Sequence, residues 1–173
     1  ECDGVLWSDD VVVGFIGKSD FGVDHVWTQL ALKRFHVGGS VQAAEYNLIT
    51  SKLLSWQYST IVWNAQTLIA AGEEAKWDSE AWPLKQCFAL VRKSRHQGVV
   101  NARIIFEFFK LLRRSSCIEL KQSFVIRAAL DALGSPRAAR WMLERIHTMF
   151  LVDIASAEFV QLELQFWLRS HLQ

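Results

Sequence analysis

Apolar positions recur every three or four residues along most of this chain, the spacing that places side chains on one face of an α-helix. Val23, Val26, Trp27, Leu30 and Leu32 open the pattern from Asp20 onward, and His36-Val37-Gly38-Gly39-Ser40 closes it. The same spacing predicts a helix over 41–54, from Ala44, Leu48, Leu53 and Leu54. Another is predicted over 58–71, from Ile61, Val62, Ala65, Leu68 and Ile69, with Gly72 as its stop. Further helices are predicted over 81–92, 99–114, 118–133, 137–150 and 155–172, the last with Phe159, Leu162, Phe166 and Leu168 available to the core. Gly134-Ser135-Pro136 is the clearest boundary, because glycine suits the left-handed residue after a helix, serine caps the next helix and proline fits its first turn. One stretch departs from the helical period. Val11-Val12-Val13-Gly14-Phe15-Ile16-Gly17 is a β-branched run closed by glycine, which predicts a short strand or an extended arm.

Taken in pairs, 41–71, 81–114 and 118–150 read as three helix-turn-helix hairpins between two terminal helices. Corresponding helices start about 35 to 41 residues apart, a period that points to repeats whose apolar faces are buried only by stacking on their neighbours. The expected fold is therefore all-α: a short α-solenoid of helix-turn-helix hairpins over 20–173, preceded by an N-terminal extended arm over 1–19. The competing expectation is a helical bundle without repeats.

Composition agrees with a packed helical chain. Of 173 residues 51% are hydrophobic and 21% charged, with only two prolines and nine glycines to interrupt regular structure. The apolar run near Met149 to Val152 is bounded by His147 and Asp153, so no membrane-crossing segment is expected. Cys2, Cys87 and Cys117 form an odd set without a CxxC pair, which fits free buried thiols in a reducing compartment. The chain opens at Glu1 without an initiator Met or an apolar leader, and the expectation is an organellar protein whose targeting peptide is gone, or otherwise a cytoplasmic one.

Charge changes the picture more than its total of +1 suggests. Residues 1–91 carry six Lys/Arg against eleven Asp/Glu, residues 92–145 twelve against four, and residues 146–173 one against three. The basic middle includes Arg92, Lys93, Arg95 and His96 at one turn, Lys110, Arg113 and Arg114 at a helix end, and Arg137, Arg140 and Arg145 beyond. Such clusters neutralise phosphates in nucleic-acid binding, and they also complement the negative ends of helix dipoles.

At the second helix of each pair the residues resemble a known family. Ala102, Phe106 and Phe109, and Gly134 followed by Ala139, Leu143 and Ile146, are similar to the Gly-x4-Ala-x3-Phe/Leu-x2-Met pattern of pentatricopeptide-type repeats. Tyr46-Asn47-Leu48-Ile49 and Leu130-Asp131-Ala132-Leu133 resemble parts of the Tyr-Asn-x-Leu-Ile-x-x-Leu first helix of the same family, so the resemblance spans about residues 41–150. It implies stacked hairpins, organellar residence and RNA as a ligand. The spacing drifts above 35, and no base-reading position of the family carries over to this sequence.

Candidate chemistry is sparse. A strand followed by Gly17-Lys18-Ser19 has the look of a phosphate-binding loop, but the loop needs glycine at position 12, where Val12 stands. His25, His36, His96, His147 and His171 form no pair at metal-ligand spacing, and no serine or cysteine stands in a nucleophile motif. Asp9-Asp10 and Glu73-Glu74 fall in expected connectors and read as solvated charge. Neither an enzyme nor a cofactor is expected. Eight tryptophans suggest contact surfaces instead, since indoles dominate binding hot spots and stack on bases. Trp77 and Trp82, flanking a polar connector, are the candidate partner-binding residues, while Trp63 and Trp141 are expected in the core. The leading expectation is a structural or assembly subunit that binds protein partners in a larger complex. The alternative is an RNA binder using Arg92, Lys93, Arg95, Lys110, Arg113 and Arg114.

Overall fold

The computed structural model describes residues 4–58, 61–94, 98–151 and 153–171. Among these, the regular structure is all-α apart from one pair of two-residue strands. The order is β1 (Leu6–Trp7), α1 (Val11–Phe21), β2 (His25–Val26), α2 (Thr28–Val37), α3 (Ala43–Ser55), α4 (Ala65–Glu74), α5 (Leu84–Lys93), α6 (Gly98–Arg113), α7 (Glu119–Leu133), α8 (Pro136–Phe150) and α9 (Ile154–His171). No helix among the described residues is long and apolar enough to cross a membrane.

The first correction to the sequence reading lies at the N-terminal end. The stretch expected as a strand or extended arm is helix α1, and the strands lie on either side of it, pairing in parallel with Leu6 opposite His25 and Trp7 opposite Val26. Capping and glycine placement explain the outcome. The Asp10 carboxylate accepts the backbone N–H groups of Val12 (2.8 Å) and Val13 (3.2 Å), satisfying donors that a helix start leaves open. Gly14 lies under the His25 imidazole, where a β-carbon would collide with the ring, and Gly17 lies against Leu6. The small-residue side of α1 therefore packs on the strand pair, and Val12, Val13, Phe15 and Ile16 are left exposed. Asp9 is likewise a cap. Its carboxylate accepts the Thr28 N–H at 2.7 Å and the Thr28 hydroxyl at 2.6 Å, starting α2 from a position 19 residues earlier in the chain.

From α3 onward the helices form two rows. In one, α3 packs on α5, α5 on α7 and α7 on α9; in the other, α4 packs on α6 and α6 on α8. Sequential backbones approach closely at α3–α4, α4–α5, α6–α7 and α8–α9. By contrast α5 meets α6 through long side chains, with Phe88 edge-on to Phe108 at 6.3 Å. The core fills the space between the rows, and Leu68, Ile105, Phe106, Phe108, Phe109, Met142 and Leu164 are wholly enclosed.

The second row is periodic. Ala65, Ala102 and Ala139, all buried, occupy matching places near the starts of α4, α6 and α8 at intervals of 37 residues, and Leu68, Ile105 and Met142 follow each one turn on. The small side chain permits neighbouring helices to approach there, and the larger one fills the space beyond. The first row has a comparable register. Four contacts between its neighbours span 36 residues each: the Cys87 thiol to the Ser51 carbonyl, Lys93 to Gln57, Arg127 to Glu163 and Trp167 to Asp131.

Three helix limits differ most from those expected. The helix expected from Asp20 onward starts only at Thr28, because Asp20 and Phe21 end α1 and His25–Val26 pairs as β2. A capping box fixes the start of α4 at Ala65 rather than near 58, with Asn64 Oδ1 accepting the Thr67 N–H and Thr67 Oγ1 accepting the Asn64 N–H. Gly72, expected to stop that helix, lies buried inside it because the Trp77 ring occupies the place of its side chain. At Gly134, where φ is +57°, the helix does end as the sequence predicts.

Candidate interaction surface

Neighbouring first-row helices α7 and α9, joined by polar contacts, each carry an exposed apolar pair. Leu120 and Phe124 lie four residues apart on α7, Leu162 and Phe166 four apart on α9, and each is more than half exposed, at 67%, 57%, 65% and 55%. These side chains lie off the buried stripes of their helices, which run through Val125 and Ala129 on α7 and through Val160, Leu164 and Trp167 on α9.

Glu163 organises the surface. It is buried, and its carboxylate accepts the Ser123 hydroxyl at 2.8 Å and Arg127 Nε at 2.7 Å. The Arg127 guanidinium in turn lies over the Phe166 ring, 4.3 Å from its centre, so a cation–π contact fixes an exposed aromatic. One turn on, Asp131 accepts the Trp167 indole N–H at 2.7 Å, and His171 stacks on that indole with ring centres 4.1 Å apart. At the other end of α7, Arg113 donates to Gln122 (2.6 Å), Glu119 (3.1 Å) and Ser156 (3.3 Å) and covers the Phe159 ring at 4.2 Å. Between Leu162, Phe166, Arg127 and Arg169 runs a shallow groove of about 300 Å³. An exposed aromatic fixed as Phe166 is loses little conformational entropy when a partner covers it.

The residues singled out from sequence are distributed differently. Trp77 is buried, 8% exposed, against Gly72 and is a core residue. Trp82 is 41% exposed, with the Lys52 ammonium 5.8 Å from its ring centre. Trp63 and Trp141 are half-buried against the core. Arg92 and Lys93 are exposed at the end of α5, and Lys93 donates to Gln57 at 3.3 Å. Arg95 and His96 lie outside the described residues, as does Cys2. Lys110 is engaged by Glu107 at 3.0 Å, Arg113 is the half-buried hub above, and Arg114 is exposed. Asn101, in the first turns of α6, donates to the Val91 and Ser94 carbonyls, so Arg92 and Lys93 stand near the start of α6 and Arg113 and Arg114 at its end, about 24 Å away for 16 residues. The described candidates are thus divided between the two ends of α6, while exposed Arg103 lies within α6 and exposed Arg137, Arg140 and Arg145 lie on α8.

The remaining candidates are structural among the described residues. Gly17 and Lys18 are inside α1, and Lys18 pairs with Asp24 at 2.6 Å, which leaves no phosphate-cradling turn. His25 tilts against Trp27 and His36 stacks on Tyr46. Among the described residues, no group of three His, Cys, Asp or Glu side chains is arranged to hold a metal ion. Burial pushes the Cys87 thiol up to about 12, and it also raises that of Cys117.

Sequence reasoning missed the α7–α9 surface, because Leu162 and Phe166 fit the helical period as well as the buried residues do. The signal that separates them is the doubled stripe: α7 and α9 carry apolar pairs at four-residue spacing beside a complete core stripe, more than one buried face needs. Comparison of the chain with protein-family models, curated proteins and solved structures gives no match.

Proposed function

We propose that the chain is a short α-solenoid of helical hairpins, similar to pentatricopeptide-type repeats, and that it serves as a non-catalytic structural or assembly subunit. In this reading it binds protein partners within a larger, organellar complex. The observation that carries it is the exposed pairs Leu120 with Phe124 and Leu162 with Phe166 on neighbouring helices, Phe166 lying beneath the Arg127 guanidinium that Glu163 holds. Clustered exposed aromatics around an arginine are the composition of protein-binding hot spots. The 37-residue recurrence of Ala65, Ala102 and Ala139 supports the repeat reading, since each matching alanine marks one unit of the stack. Trp82, exposed beside Lys52, is a second contact point in the same first-row environment.

The rival reading, an RNA-binding repeat protein, draws on exposed Arg92, Lys93 and Arg114. It has less support, because Lys110 and Arg113 are committed to internal partners and the other described candidates, Arg92, Lys93 and Arg114, are divided between two ends of α6.

Two measurements separate the readings. Affinity capture from the source cells with the natural chain and with Phe124→Asp/Phe166→Asp should lose the same protein partner only with the variant. Equal recovery by both would defeat the assembly reading. Fluorescence anisotropy with labelled single-stranded RNA at low and moderate salt should show no binding sensitive to Arg92→Glu/Lys93→Glu; a salt-dependent affinity abolished by that change would establish the rival.

A further inference from the structure

Helix α1 is built inside out. Its glycines, Gly14 and Gly17, face the strand pair, while Val12 (65% exposed), Phe15 (71%) and Phe21 (74%) project outward. An isolated soluble surface helix shows the opposite arrangement, with its apolar face covered. Close by, α2 leaves its own apolar side uncovered, because its inward face is spent on Gln29, which is buried and exchanges two hydrogen bonds with the Val62 backbone. Val26, Leu30, Ala31 and Val37 floor an open groove of about 580 Å³ along that side, with Lys33 and Arg34 on its rim.

We infer that these two features are halves of one contact: α1 of one copy of this chain lies in the α2 groove of a second copy, and the second returns the same contact to the first. Three observations select a second copy as the occupant. The helix and the groove match in length, about 16 Å for the 11 residues of α1 and about 15 Å for the 10 residues of α2. Their charges are opposite. Residues 8–24, around α1, carry Asp9, Asp10, Asp20 and Asp24 against the single Lys18, whereas α2 carries Lys33 and Arg34 and no acid. Finally, both halves meet at β2, where the His25 ring packs on Gly14 of α1 and Val26 lines the groove. A reciprocal pair about a two-fold axis needs both halves within one continuous patch, and it closes on itself instead of growing into a filament. The inference is independent of the α7–α9 surface and stands or falls without it.

Sedimentation over a wide range of concentration tests it. The natural chain should pass reversibly from 19.8 kDa to twice that mass, with the transition moving to higher concentration as salt rises. Phe15→Asp and Leu30→Asp, both at exposed positions, should each weaken the dimer at least tenfold while circular dichroism stays unchanged. Lys33→Glu/Arg34→Glu should weaken it as well, and adding Asp20→Lys to that chain should restore at least part of the loss. A mass of 19.8 kDa at every concentration, or a dimer indifferent to Phe15, Leu30 and the charge exchange, overturns the inference. Neither result bears on partner capture through Phe124 and Phe166.

Discussion

The Trp77 indole occupies the space in which a side chain on Gly72 would lie, and the Trp77 backbone N–H donates to the Gly72 carbonyl at 2.7 Å. This contact closes the turn after α4 and explains how Lys76 and Trp77 both hold positive φ, at +52° and +61°, which is unfavourable by about 1–2 kcal/mol per residue outside glycine. Gly72→Ala should therefore destabilise the protein. Alanine favours a helix interior by about 1 kcal/mol, but overpacking against a fixed ring opposes it by about 1–3 kcal/mol, and the ring has little room to yield. Trp77→Ala should lose about 3–5 kcal/mol by leaving a cavity. Urea midpoints with an unchanged slope check both, and a stabilised Gly72→Ala chain would show that the ring moves aside.

Glu163→Ala removes the carboxylate that serves both Ser123 and Arg127, leaving their donors without partners inside the α7–α9 contact. Arg127 is 39% exposed and regains water, so the expected loss is about 2 kcal/mol, below the range for a fully buried pair. Phe166→Asp, at an exposed position, should change stability by about 0.5 kcal/mol or less while abolishing partner capture. The contrast between the two variants separates folding from binding.

Asp153 accepts the Ser156 N–H at 3.1 Å, at the start of α9. Hydrogen bonds from the Ser156 side chain and backbone hold its carboxyl below the ordinary carboxylate value, with smaller help from Arg113 and Arg114. A depressed folded-state value means stability that is fully present above the unfolded-state value of 3.8 and is lost as pH falls through the folded one. The stability difference between the natural chain and Asp153→Asn should be constant above about pH 5 and shrink below about pH 4. Acid titrations of thermal midpoint decide it, and a gap that persists at pH 2 would refute the assignment.

Cys87 titrates in the opposite sense. Its folded thiol is raised to about 12, whereas the unfolded thiol ionises near 9, so its contribution is intact below pH 9 and is lost as pH rises from 9 to 12. Cys87→Ala should flatten the alkaline fall in stability. In the native state at pH 8, peptide mapping after brief treatment with a thiol reagent should find Cys87 unmodified, and rapid labelling would show that the α3–α5 contact opens.

Much of this architecture was legible in the chain. Helices expected over 99–114, 118–133 and 137–150 are found at Gly98–Arg113, Glu119–Leu133 and Pro136–Phe150, because the apolar period is regular there and Gly134 and Ser135 mark the boundary between the last two. The misreadings share a cause in tertiary contact. Val11–Phe21 has strand-like composition, and it is helical because Asp10 caps it and two glycines fit the strand pair. Gly72 reads as a stop until Trp77 is placed upon it. Periodicity likewise identifies apolar faces without saying which will be covered, so Trp77 went inside while Leu162 and Phe166 stayed out. Nor does a count of cations reveal that Arg113 is enclosed by Gln122, Glu119 and Ser156.

The two rows have a kinetic and a mechanical consequence. Because the principal contacts join helices one to three places apart in the chain, the closing of long loops is a small part of folding, and assembly can start at any adjacent group of helices and spread. The same locality spares most of the molecule when one end loosens. Amide exchange should therefore be graded, slowest around α6, which touches α4, α5, α7, α8 and α9 and holds three fully enclosed phenylalanines, and faster toward α2. A pull on the two ends would be shared among many small helix displacements, giving the protein the compliance of a spring rather than the sudden yield of a single latch.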